Sequence, residues 1–356
     1  MAKLATVTAN DYKQLSLFLA TFQDEPRDSS FWRERFKLWW DNNPAFSEEI
    51  ERGWVLIEEE NIVGFLGITP SFFQLSNRQI VIHNATTWRV LPEYRDSSLS
   101  LLYRQIQSAK ETILINTTPN AVVYKILNML HFQPLPTMIN REWVLVINYH
   151  KYVKKALKGL GNTPISPLFI KPCAALLNAY QSFKLSGFGD SGINHVKQVD
   201  KADRSFDDLW ERTKEVYANT NVRNAKAINW FCFDNKDYEK TVFGYYQSGK
   251  LLGYIILRNS DNGKVLHCLD LWTEPNRDDV ISGLINYARQ YAQEVYCDTI
   301  RLAYFNKTLG DYYGKVSLFH ALADEKKDYY KAATELADKI SEDNSYFVLG
   351  QGDYGI

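Results

Sequence analysis

Trp54-Val55-Leu56-Ile57, then Glu60-Asn61, then Ile62-Val63-Gly64-Phe65-Leu66-Gly67-Ile68 reads as two apolar runs of strand length around a tight polar turn, the pattern of a β-hairpin. A second stretch is built alike: Thr241-Val242-Phe243-Gly244-Tyr245-Tyr246, a turn at Ser248-Gly249-Lys250, and Leu251-Leu252-Gly253-Tyr254-Ile255-Ile256-Leu257. Outward from each hairpin the order stays parallel. A further strand follows, Ile80 to Trp88 in one and Val265 to Trp272 in the other, then Pro92 or Pro275, then a helical pattern. Leu99, Leu102, Tyr103 and Ile106 in the first copy, and Val280, Leu284, Tyr287 and Ala288 in the second, take the three-to-four spacing of a buried helix face. Closing strands are read at Thr112 to Asn116 and Thr299 to Tyr304. The interval from Gly64 to Gly253 nearly equals that from Trp88 to Trp272, as expected of one duplicated fold with altered loops.

A chain of 356 residues, 45% hydrophobic, has material for two cores. The repeat places a first domain at 1–147, a connector at 148–203 and a second domain at 204–356. Lys plus Arg number 41 against 42 Asp plus Glu, so no global positive field gathers nucleic acid, and an anionic ligand needs a local device. Cys173, Cys232, Cys268 and Cys297 form no metal-spaced cluster and read as reduced thiols of a cytoplasmic protein. The amino terminus meets Asn10, Asp11 and Lys13 before any export-type apolar run. No segment reaches the roughly 18 apolar residues of a membrane span. The nearest, Ile165 to Leu177, is interrupted by Pro167, Lys171 and Pro172.

The connector carries Lys151, Lys154, Lys155 and Lys158, read as a solvated helix packed on a domain in preference to a membrane-surface helix. Tyr12, Leu15, Leu19 and Phe22, then Phe31, Trp32, Phe36, Trp39 and Trp40, are helical aromatic stripes of core character. Phe206, Leu209, Trp210, Thr213 and Val216 repeat the idea, followed by Ile228 to Phe231.

Chemistry concentrates where the third strand of the first copy ends, Val90-Leu91-Pro92-Glu93-Tyr94-Arg95-Asp96-Ser97-Ser98-Leu99-Ser100. Asp96, Ser97 and Ser98 supply capping chemistry, and a helix start with free amides holds a phosphate without a cation. Downstream, Asn120 and Tyr124 lie one turn apart after Pro119, near a second helix start.

These residues resemble the GNAT acetyltransferases, whose motif runs Val-x-Pro-x-Tyr-Arg and then Arg-x-x-Gly-x-Gly/Ala. Val90, Pro92, Tyr94 and Arg95 match as they stand, whereas the two glycine positions are Ser98 and Ser100. Asn120, Tyr124 and Phe132 fit the family's Asn-x-x-Ala-x-x-x-Tyr-x-x-x-Gly-Phe ending, with His131 where glycine is usual. The diagnostic residues are confined to Trp88–Phe132. The resemblance implies an α+β class with two tandem acyl-CoA N-acyltransferase-like domains, each a mostly antiparallel mixed sheet flanked by helices. It further implies acetyl-CoA or another acyl-CoA as co-substrate, held by Val90, Arg95, Asp96, Ser97, Ser98, Ser100 and Asn120. Tyr124 becomes the acid that protonates the departing thiolate, and His83 and Glu93 are candidate bases.

In the second copy Glu274, Asp278 and Asp279 stand where phosphate would sit, and Asn306 with Tyr312 and Tyr313 only echoes the second anchor, so that domain is read as degenerate. The expected activity is acyl transfer to a primary amine of a small-molecule acceptor, with no metal, no nucleic-acid partner and no membrane span. The alternatives are an inactive binding module on the same fold and a FemAB-like aminoacyl or peptidyl transferase. The near-neutral composition argues against the latter.

Overall fold

The computed structural model describes residues 2–117, 119–135, 141–159, 167–186, 192–236, 238–260, 262–304, 307–322 and 328–348. In chain order the strands are β1 (Lys3–Thr6), β2 (Gly53–Glu58), β3 (Asn61–Leu75), β4 (Arg78–Val90), β5 (Ile113–Asn116), β6 (Gln133–Pro134), β7 (Arg141–Val146), β8 (Val196–Val199), β9 (Asn219–Asn221), β10 (Lys240–Gln247), β11 (Lys250–Ser260), β12 (Val265–Thr273), β13 (Thr299–Ala303), β14 (Phe319–Leu322), β15 (Tyr329–Ala332) and β16 (Ser345–Tyr346). The helices are α1 (Tyr12–Leu19), α2 (Ser29–Phe36), α3 (Ser98–Ser108), α4 (Ala121–Met129), α5 (Tyr149–Gly159), α6 (Pro167–Ser186), α7 (Arg204–Thr213), α8 (Ala225–Ile228), α9 (Asp278–Glu294), α10 (Lys307–Val316) and α11 (Thr334–Ala337).

Two compact units form, and neither is a continuous half of the chain. The first gathers Met1–Pro136, Tyr217–Asp237 and Lys326–Ile356; the second gathers Thr137–Val216 and Tyr238–Glu325. This partition cuts the sequence differently from the linear division at 147 and 203.

In the first unit the sheet order is β1-β2-β3-β4-β5-β15-β6, with β9 against β3 and β16 against β9. Neighbours are antiparallel except β4 with β5 and β9 with β16. The β2–β3 turn is Glu59-Glu60, with φ of 46° and 66°, and Asn61 already pairs with Glu58. The expected turn at Glu60-Asn61 is therefore one residue late. Two successive left-handed residues make the tight turn whose twist matches the flanking strands, and Ser76-Asn77 do the same between β3 and β4. Trp54, Leu56, Leu66 and Ile68 form a core with Leu101 and Leu102 of α3.

The buried face of α3 is Leu101, Leu102 and Gln105, whereas Leu99 and Tyr103, expected inside, are exposed. Apolar periodicity overlooked Gln105, whose side-chain amide donates to the Gly67 carbonyl at 3.0 Å and so anchors that face on β3. The aromatic stripes are core at most positions, with Tyr12, Phe22 and Phe31 half-buried and Val216 exposed. Phe36 stacks on Trp40 at 5.2 Å, and Trp40 Nε1 donates to the Ile68 carbonyl. From the later segment of this unit, Trp230 Nε1 donates to the Leu38 carbonyl at 2.7 Å.

The second unit's sheet runs β14-β7-β13-β12-β11-β10-β8, with β12 and β13 parallel. Its hairpin turn is Ser248-Gly249, with φ of 50° and 78°. Phe243, Ile255, Leu266 and Leu271 pack with Val280, Leu284 and Ala288 of α9, a face expected from the spacing. Each such side chain stabilises the fold by about 1.5–3 kcal/mol on burial. The expected connector holds α5, α6 and β8, the last of which pairs with β10. α6 continues through Pro172.

The strand beside each parallel pair comes from elsewhere in the sequence. β15, near the carboxyl end, pairs with both β5 and β6. β7, from the end of the first repeat, pairs with both β13 and β14.

Candidate functional site

The centre of the first unit's sheet contains two irregularities that go together. Leu66 lies opposite Trp88 but Gly67 lies opposite Thr86, so Thr87 is an extra residue on β4, held at φ of 39°. Such a bulge takes its residue out of the ladder and re-aims the backbone. Pairing of β4 with β5 is confined to His83 with Leu114 and Asn84 with Ile115, while β4 runs on to Val90. Beyond Asn84 the two parallel strands are no longer joined, and the carboxyl ends of parallel strands are where open sheets receive ligands. The second unit repeats both features. Ile256 faces Asp270 and Leu257 faces Cys268, leaving Leu269 extra, and β12–β13 pairing ends at Cys268 with Leu302 although β12 reaches Thr273.

After Val90, which is half-buried, the chain does not enter α3 directly. Pro92–Ser97 form a 3-10 turn that runs into it. The amide of Ser98 donates to the Arg95 carbonyl, and Ser97 makes no side-chain cap. Ser98 Oγ donates to the Arg95 carbonyl and Ser100 Oγ to the Ser97 carbonyl, each at 2.6 Å. The expected capping by Asp96, Ser97 and Ser98 is thus replaced by hydroxyls folded back on their own turn. Glu93, Arg95 and Asp96 are exposed there.

Asn120 is the N-cap of α4: its Oδ1 accepts from the amides of Val122 and Val123, both at 3.0 Å. One turn on, Tyr124 lies with Val123 against Ala85, Leu114 and Leu127. Its hydroxyl hydrogen-bonds Tyr329 of β15, the two rings meeting edge-on with centroids 5.4 Å apart. Burial first, and the bond to Tyr124 second, push the Tyr329 phenol up to about 12, against an opposing hydrogen bond with Asn128. The helix ends with His131 at φ of 56°, a left-handed position that accounts for glycine being usual there.

His83 sits buried in the short stretch where β4 and β5 pair, and burial lowers its imidazole to about 4. It is neutral at pH 7 and poorly matched to removing an ammonium proton. The sequence reading did not single out Asp328. It precedes β15, is buried, and burial alone raises its carboxyl to about 7. Tyr329 pairs with Asn116, the last residue of β5, and Asp328 lies one residue before it, its carbonyl accepting from the Leu135 amide at 2.8 Å. Asp328 Oδ2, Thr117 Oγ1, His83 Nδ1 and Trp88 Nε1 are buried without a hydrogen-bond partner among the described residues. Of these, His83 lies within the paired stretch of β4 and β5, whereas Trp88, Thr117 and Asp328 lie beyond its end, and buried polar atoms left unsatisfied call for a partner. Nothing local marks Asp328 or Tyr329, because their position follows from the long-range pairing of β15.

In the second unit the corresponding helix start is self-contained. Arg277 pairs with Asp279 at 2.7 Å, Glu274 takes Arg212 and Lys250, and the Tyr312 phenol donates to the Asp278 carbonyl. Asn306 lies outside the described residues. A pocket lined by Ile106, Ala109, Lys110, Leu114, Lys331 and Ala332 opens at the other end of β5, away from the bulge.

No family model and no curated sequence matches the chain. Solved structures do match. A probable N-acyltransferase from Enterococcus faecalis superposes with a TM-score of 0.59 at 11% identity, over 93% of this chain and 72% of that one. A GCN5-related N-acetyltransferase from Anabaena variabilis gives 0.56 at 11%, again over 93% and 72%. The chain has the GNAT fold, in tandem. Saccharomyces cerevisiae N-myristoyltransferase with bound myristoyl-CoA gives 0.51 at 11%, over 92% and 82%. The turn before α3 and the parted β5 lie in the stretch Trp88–Phe132 whose residues carried the resemblance, and the bulge at Thr87 immediately precedes it.

Proposed function

We propose that the protein transfers an acyl group from an acyl-CoA to a primary amine of a small-molecule acceptor, in the first unit. The observation that carries this reading is the conjunction of bulge, parted strands and the Tyr124–Tyr329 pair at one end of β5. The acyl-CoA supplies an activated thioester. Val90 and the turn from Arg95 to Ser100 would hold it, with Asn120 fixing the start of α4 beside it. An amide freed at the Thr87 bulge is suited to the oxyanion. As the amine nitrogen attacks the carbonyl carbon and the carbon–sulfur bond breaks, Tyr124 gives its proton to the leaving sulfur. A protonated Tyr329 bonded to Tyr124 keeps that phenol in place. Asp328, raised into the neutral range, is the group we assign to take the ammonium proton, in preference to His83 or the exposed Glu93.

The second reading, a binding module without turnover, is favoured by Ser98 and Ser100 spending their hydroxyls on their own turn. One experiment separates the two. Acetyl-CoA raises the melting temperature of the wild type and of Tyr124→Phe alike, since a ligand selective for the native state stabilises it. Only the wild type releases thiol when an amine is added. A shift without thiol release from any amine sustains the module reading, and equal turnover in the variant removes Tyr124 as the acid.

A further inference from the structure

From Trp143 to Gly189 the sequence contains no aspartate or glutamate, although the chain has 42 of them. The same stretch contains Lys151, Lys154, Lys155, Lys158, Lys171 and Lys184. Within the second unit its described residues form the end of β7, then α5 and α6, which pack on each other. α6 is fastened on one side: Gln181 Nε2 donates to the Val146 carbonyl at 3.0 Å, and Tyr149 donates to Gln181 Oε1. Ala174 is buried on that side.

Another side of α6 faces solvent and is apolar. Phe169 is 63% exposed, Leu176 72%, Tyr180 54% and Phe183 75%, at a spacing that keeps them on one stripe of the helix. Isolated exposed apolar residues are ordinary, but four aligned on one helix form a surface with a use. Lys151 is engaged with Asp298, and Lys184 with the carbonyls of Gly314 and Ser317. Lys154, Lys155 and Lys171 are exposed.

We infer that α5 and α6 form a docking surface for an anionic lipid bilayer. Phe169, Leu176, Tyr180 and Phe183 enter the boundary between headgroups and acyl chains, while Lys154 and Lys155 of α5 meet lipid phosphates. An apolar stripe on a lysine-bearing helix pair is the composition of an interfacial element, which lies in the membrane plane without crossing it. Among the described residues, no helix is long and apolar enough to cross a membrane. A second copy of the chain suits the face less, because a symmetric contact would bring one acid-free, lysine-rich surface against another.

Flotation of the full chain with defined vesicles tests this independently of acyl transfer. The protein rises with phosphatidylcholine vesicles containing phosphatidylglycerol and stays behind with phosphatidylcholine alone, and added salt weakens the binding. Leu176→Glu with Phe169→Glu abolishes flotation at unchanged circular dichroism, both positions being exposed. Lys154→Ala with Lys155→Ala, whose apolar stripe is intact, weakens it roughly thirty-fold. Absence of binding to the anionic vesicles at low salt overturns the inference, as does binding that neither double variant alters. A wild-type dimer that Leu176→Glu converts to monomer also overturns it, in favour of a second copy on this face.

Discussion

Replacing Asp328 with asparagine removes a carboxyl whose acidity the fold has shifted from 3.8 to about 7 by burial. Because the folded-state value is raised, the native form holds this proton more tightly than the unfolded chain. The stability it confers is complete below the unfolded value and is lost as pH rises through the folded one, a window from 3.8 to about 7. The shift is worth about 4 kcal/mol at alkaline pH, at roughly 1.4 kcal/mol per pH unit. Asparagine has nearly the same shape and never ionises, so the variant escapes that penalty. Its amide brings a separate cost of about 1–3 kcal/mol if left unbonded, but one that does not vary with pH. The diagnostic quantity is therefore the change in the gap between variant and wild type. In urea unfolding the variant gains about 2–3 kcal/mol on the wild type between about pH 5 and about pH 8. Under the proposed chemistry it also loses thiol release at every pH. A gap that stays constant across that range would refute the reasoning, since it would mean that Asp328 ionises in the fold as freely as in the unfolded chain.

Three further outcomes are expected. The imidazole of His83 is depressed from 6.5 to about 4, so its contribution to stability is present above 6.5 and lost as pH falls towards 4; His83→Asn removes about 3 kcal/mol of that acid sensitivity, read by urea unfolding at successive pH values. Tyr329→Phe lowers kcat for thiol release by about tenfold with KM for acyl-CoA unchanged, whereas Tyr124→Phe lowers it by about a hundredfold or more. Residues 1–147 expressed alone lack β9, β15 and β16, leaving β5 without its antiparallel partner, so calorimetry finds no cooperative unfolding transition in that fragment.

Much of the architecture could be read from the sequence, because long strands advertise themselves. β3 and β4, β11 and β12, and α9 carry enough alternating or helically spaced apolar residues to be found locally, and their repetition disclosed the duplication. What escaped was non-local. β15 and β16 are short, and the sheet to which they belong is set by partners more than a hundred residues upstream, β5 and β9. The division into two discontinuous units and the placement of Tyr329 and Asp328 beside β5 were hidden for that same reason. Leu99 and Tyr103 were misplaced because a polar residue, Gln105, anchors α3.

The first unit's motif was legible as a strand end, a turn and a helix start. Its serines were not, since whether a hydroxyl faces a ligand or its own backbone depends on the 3-10 turn that precedes α3. The second unit shows what the same plan does when the turn is filled. Arg277 closes on Asp279 and Tyr312 bonds the Asp278 carbonyl, so the helix start there serves its own neighbours.

A crystal structure of the full chain with coenzyme A tests the central claim most directly. The account predicts the pyrophosphate at the turn between Val90 and Ser100 and the thiol between β4 and β5, within reach of the Tyr124 phenol. Coenzyme A ordered at the start of α9, or bound away from the bulge at Thr87, would contradict it.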